Sequence, residues 1–116
     1  MQNIKNALIT IAMAAMMLSA PAFADAMQDA GAANARGDYA AEMKITRPLA
    51  AKGEAWAQSW LGISYAHGQG VVQDYAAAVK WYRLAAAQGD ADAQSNLGVM
   101  YDNGQGVVQN YVRAHM

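Results

Sequence analysis

The sequence predicts an all-α fold, an α/α superhelix of antiparallel helix pairs. Three observations carry that expectation. A 36-residue period runs through most of the chain, apolar residues recur at helical spacing inside each period, and strand signals are scarce. GQGVVQDY fills residues 68–75 and GQGVVQNY fills residues 104–111. Shifted by 36 positions, residues 57–80 fall on 93–116 with more than half of the pairs identical, among them Ala57/Ala93, Gln58/Gln94, Leu61/Leu97, Gly62/Gly98, Tyr65/Tyr101 and Gly68/Gly104. The same shift lays 37–58 on 73–94, matching Asp38/Asp74, Tyr39/Tyr75, Lys44/Lys80, Arg47/Arg83 and Gly53/Gly89.

The first segment is read as a targeting signal. MQNIK brings Lys5, ALITIAMAAMMLSA (7–20) is uncharged and apolar, and Pro21 ends the run. Ala22 and Ala24 then put small residues at the two positions a signal peptidase reads, which predicts cleavage after Ala24 and a periplasmic or secreted mature chain, 25–116. The apolar run reaches only about 21 Å as a helix, short of the ~30 Å hydrocarbon core, so no stable membrane span is expected after cleavage. No cysteine follows the run, which excludes a lipoprotein.

The remaining elements follow in order. Residues 25–53 read as a degenerate first helix pair, with a short turn before Asp38. From Glu54 to about Ala66, the residues Ala57, Leu61 and Tyr65 lie on one helical stripe. Gly68 closes that helix, because a left-handed residue at the C-terminus is cheapest as glycine. Asp74 stands where an N-cap belongs, and Asp38 and Asn110 hold the equivalent places. The next helix runs from about Tyr75 to Gln88 on a stripe of Tyr75, Ala78, Tyr82 and Ala85. Gly89 ends it and Asp90 caps the following helix, in a last unit (90–116) whose second helix, NYVRAHM, stops early. Gly62 and Gly98 sit inside helices, where glycine costs roughly 0.5–1 kcal/mol relative to alanine. A neighbouring helix packed against the bare Cα would offset that cost in both copies. The Val71-Val72 pair is expected to tuck the turn onto the helices.

Composition excludes several functions. A net charge of −1 argues against a nucleic-acid footprint, and the absence of cysteine removes disulfides, thiolate zinc sites and a cysteine nucleophile. A dinucleotide fingerprint starting at Gly68-Gln69-Gly70 needs glycine where Gln73 stands, and a P-loop needs a lysine that is absent. Gly62-Ile63-Ser64-Tyr65-Ala66 resembles a nucleophile elbow but ends in alanine, and Met100 replaces the serine in the next copy. His67 and His115 have no ligand spacing with Asp102, so no metal and no cofactor is expected. Asp90 and Asp92 read as carboxylates favoured by a helix N-terminus.

The copies also differ in a patterned way. Matched residues 57, 58, 61, 62 and 65 share one helix face, and mismatched residues 56, 60, 63, 64 and 67 share another. The matched face is expected to be the stacking interface. The differing face, Trp56, Trp60, Ser64 and His67 in one copy and Asp92, Asn96, Met100 and Asn103 in the other, is the candidate partner-binding face of a concave groove. Trp56 and Trp60 are then either partner anchors or a cover over the N-terminal helices.

The run AQSWLGISYAHGQGVVQDYAAAVKWYRLAAAQGDADAQ (57–94) resembles the Sel1-like repeat, a 36-residue relative of the tetratricopeptide repeat. The resemblance covers residues 37–116 and rests on Leu61-Gly62, Tyr65, Gly68, Gly70, Val71, Asp74-Tyr75, Ala78, Trp81-Tyr82, Ala85-Ala86 and Gly89. It implies a superhelix that binds other proteins or peptides on its concave face, without catalysis. Some exported relatives staple each hairpin with a disulfide, which this cysteine-free chain lacks. The expectation is an exported scaffold or adaptor whose partner is a protein or peptide of the cell envelope. The alternatives are a cell-envelope hydrolase on peptide-like substrates or a non-functional fragment of a longer repeat protein. The short last unit fits a fragment, a naturally short protein, or a chain completed by a partner or an oligomer contact, and it predicts low stability.

Overall fold

The computed structural model describes residues 24–107. Residues 24–35 are helical (α1), followed by α2 (Tyr39–Ala51), α3 (Ala55–His67), α4 (Tyr75–Ala87) and α5 (Ala91–Asn103). The described residues contain no strand. The segment up to Phe23, and with it the body of the expected signal, lies outside the described residues. So do Asn110, His115 and the expected final helix.

The predicted punctuation is present. Asp38, Asp74 and Asp90 accept backbone N–H bonds from Ala41, Ala77 and Ala93 at 3.1, 3.1 and 2.8 Å. Each satisfies one of the orphan donors that a helix start leaves. Glu54, at the equivalent place before α3, makes no side-chain cap bond although its φ −68°, ψ 116° nearly equals the φ −67°, ψ 114° of Asp90. Its longer side chain is the difference. Gly68 and Gly104 end α3 and α5 in the left-handed conformation, at φ 69° and 66°.

Two apolar clusters stack along the array. Met43 and Ala50 of α2 pack with Ala57 and Leu61 of α3. Ala78, Val79, Tyr82 and Ala85 of α4 pack with Ala93 and Met100 of α5. Tyr65 of α3 packs against both clusters and joins them. The many alanines let helix axes approach closely, and stacking buries what a lone hairpin would leave open.

The repeated residues make repeated contacts. A β-carbon on Gly62 would stand 2.6 Å from two ring carbons of Tyr82, so α3 crosses α4 on a bare Cα, as expected. One on Gly70 would stand 2.9 Å from the carbonyl oxygen of Tyr39, and one on Gly106 would stand 2.5 Å from that of Tyr75. The second glycine of each GQG therefore seats its loop on the first residue of the helix one unit back. Gln58 donates to the carbonyl of Ala50 (3.3 Å) and Gln94 to that of Ala86 (3.2 Å). Each glutamine satisfies a carbonyl near the C-terminal end of the preceding helix, where intrahelical donors run out.

Gly98 meets no described atom within 4 Å, and the residues expected to form the helix facing it lie outside the described residues. Three expectations are corrected. Val71 packs on the first cluster, whereas Val72 is 89% exposed. The turn passes one side chain inward and its neighbour outward. Tyr75, placed on the buried stripe, is exposed because it stands at the first turn, where its hydroxyl accepts from Gln73. The fourth helix ends at Ala87, with Gln88 as C-cap.

Candidate functional site

Packed against α2, α4 and α5, α3 stands at the centre of the array and contributes to two cavities. The first, about 360 Å³, is lined by Gly31 and Asn34 of α1, Glu42 of α2, and Trp60, Ile63 and His67 of α3. The second, about 170 Å³, is lined by His67 of α3, Tyr75 and Tyr82 of α4, and Asn96, Val99 and Met100 of α5. His67 lines both, so the two cavities adjoin as a candidate groove.

The structure brings together four of the eight residues assigned from sequence: Trp60 and His67 in the first cavity, His67, Asn96 and Met100 in the second. Met100 is 4% exposed and contributes to the floor of the second rather than to a protruding face. Ser64 leaves the face altogether. It is 1% exposed, and its hydroxyl donates to the carbonyl of Trp60 at 3.1 Å, one helical turn back. Asp92 and Asn103 are exposed near the two ends of α5 and line neither cavity.

The two tryptophans divide the roles offered to them. Their rings meet edge to face, 5.3 Å apart at 86°. Trp56 packs on the α2–α3 cluster, and its indole N–H is buried without a partner among the described residues. It is a packing residue. Trp60 lies beside α1, where a β-carbon on Gly31 would be 3.6 Å from its Cη2, and it also walls the first cavity. Trp60 therefore both covers α1 and presents surface to the groove.

Sequence comparison of the copies missed two polar residues of the groove. Glu42, 3% exposed, accepts a hydrogen bond on Oε2 from Asn34 Nδ2 at 2.9 Å. The signal was available: one period on, Glu42 is answered by Ala78. Tyr82 sits under the second cavity, and burial pushes its hydroxyl pKa from 10.0 up to about 12. Arg83 and Tyr101 couple α4 to α5 outside both cavities, through a 2.6 Å hydrogen bond and a cation–π contact at 5.8 Å. Among the described residues, no three His, Asp or Glu side chains converge as a metal-ligand set.

The family model described as "Sel1 repeat" matches residues 57–90 and again 91–116. The chain belongs to the Sel1 repeat family. The matched segments hold α3 with α4 and then α5, so the period seen in the sequence is the family's structural unit. The chain is similar to the crystal structure of a Sel1 repeat protein from Oxalobacter formigenes, with a TM-score of 0.61 and 40% identity. That alignment covers 65% of this chain and 22% of the other. It is also similar to a protective antigen of uropathogenic Escherichia coli strains that displays an SLR fold, with a TM-score of 0.63 and 44% identity over 66% of this chain and 16% of that one. The chain thus spans less than a quarter of either solved relative. A search of the curated proteins finds no match. Sel1 repeats are in general protein–protein interaction scaffolds and are typically non-enzymatic.

Proposed function

We propose that this Sel1 repeat protein is an exported adaptor that holds an extended segment of a cell-envelope protein in the groove along α1, α3 and α5. The adjoining cavities that share His67 carry the groove part of this reading. Their walls mix aromatic and aliphatic surface with a few polar groups, as peptide-holding clefts do. Export is supported by the uncharged run at 7–20 and the small residues at 22 and 24. The hydrolase alternative has little support at Ser64, whose hydroxyl is buried and spent on a backbone carbonyl.

The test has two arms. N-terminal sequencing of the native protein from the envelope fraction should begin at Asp25; a chain beginning at Met1 contradicts export. Proteins that co-purify with the native chain should be lost with the double substitution His67→Glu and Asn96→Arg and retained with Lys44→Glu, which alters an exposed residue lining neither groove cavity. Retention by the groove variant contradicts the groove.

A further inference from the structure

The first cavity contains a buried carboxylate, Glu42, and His67 is the other titratable side chain among its described lining residues. Glu42 is 3% exposed, yet its one side-chain hydrogen bond among the described residues comes from the neutral amide of Asn34. No described lysine or arginine is bonded to it. Among the described residues lining the two groove cavities there is no Lys or Arg, and Glu42 is the only carboxylate. A buried carboxylate is expensive unless an opposite charge or several hydrogen bonds compensate it. Asn34 occupies Oε2 and leaves Oε1 without a described donor, and Oε1 is not fully buried but opens to the cavity. Beside the carboxylate stand Trp60 and the aliphatic Ile63.

We propose that the first cavity is a subsite for a cationic side chain of the bound partner, with arginine the best fit. The guanidinium would donate to Oε1 of Glu42 while its flat face lies along the Trp60 indole and its methylenes along Ile63. A planar guanidinium suits this set because it pairs with carboxylates in a fixed geometry and stacks on aromatic rings. Among the described residues the subsite belongs to the first unit, since Ala78 answers Glu42 one period on and no described residue lining the second cavity is a carboxylate. A partner segment would then be read directionally: a basic residue at the α1–α3 end and a neutral, apolar residue at the α3–α5 end. This assignment rests on the groove reading above and names the chemistry of its occupant.

The test uses an acetylated, amidated pentapeptide with arginine between pairs of alanines, and its twin carrying citrulline, the uncharged isostere. Binding is followed by NMR at the Trp60 indole, the Gly31 amide and the Asn34 side-chain amide. The arginine peptide should bind about tenfold more tightly than the citrulline twin, the effect of one charge-assisted pair in a partly buried site. Glu42→Gln keeps an acceptor for Asn34 and should bring the two peptides to equal affinity, while Glu42→Asp keeps the charge and should retain a preference. Equal affinity of the two peptides for the unaltered protein overturns the proposal. So does a preference that survives Glu42→Gln, or the absence of any shift at the three reporters up to about 10 mM peptide. Shifts confined to Asn96 and Val99 would overturn the cationic subsite while leaving the groove itself standing.

Discussion

Gly62 of α3 lies directly on the ring of Tyr82 of α4: a β-carbon at 62 would come within 2.6 Å of Cδ1 and Cε1. The ring is 2% exposed and cannot swing outward without opening the α3–α4 interface. Gly62→Ala is therefore expected to destabilise the protein by about 1–3 kcal/mol, although alanine is the better helix former. Urea denaturation reads the loss directly; a variant as stable as the parent would remove the contact between Gly62 and Tyr82 from the account.

Gly70 and Gly89 separate backbone strain from contact. Both have positive φ, 77° and 93°. Only Gly70 has neighbours, the carbonyl of Tyr39 and a side-chain carbon of Met43, both at 2.9 Å. Gly89→Ala should cost about 1–2 kcal/mol from conformation alone. Gly70→Ala should cost more, about 2–4 kcal/mol, because a backbone oxygen cannot move aside. Midpoints of denaturation in the reverse order would remove the loop-to-helix seat from the account.

The cap before α3 is an opening for improvement. Glu54 has the backbone angles of Asp90 without its hydrogen bond. Glu54→Asp should therefore stabilise by about 0.5–1 kcal/mol, and Asp90→Ala should destabilise by about 0.5–2 kcal/mol. Thermal melts of the two variants should shift in opposite directions from the parent.

Tyr82 makes stability fall at alkaline pH. Its pKa is raised from 10.0 to about 12 by burial, so the unfolded chain loses this proton first. The contribution is fully present below pH 10 and is lost as pH rises towards 12, with a slope of up to about 1.4 kcal/mol per pH unit. Tyr82→Phe keeps the ring on Gly62 and should flatten that part of the profile. An unchanged slope would show that another group titrates there.

Much of the fold could be read from the sequence because glycine, aspartate and alanine act through local geometry. A left-handed glycine, an N-cap aspartate and a helical stripe each need only a few neighbouring residues. The period told which positions stack, and Gln58, Leu61 and Gly62 do so. The groove was less legible. Ser64 has groove-like variation but sits on the inner side of α3, and a serine looks the same in sequence whether its hydroxyl meets water or the carbonyl of Trp60. Glu42 went unnoticed because it lies on α2, outside the helix whose copies were compared, and only the packing of α1, α2 and α3 brings it into one cavity with Trp60. Trp56 and Trp60 are one turn apart, yet α1 decides which of them keeps a face for the groove.

The central claim is that the face of α1, α3 and α5 is where another protein is held. A photo-reactive amino acid at position 67, where the two cavities meet, tests it most directly when compared with the same group at position 44. In the native envelope, the account predicts a discrete adduct from position 67 and none from position 44. Adducts from position 44 alone, or equal labelling from both, would contradict it.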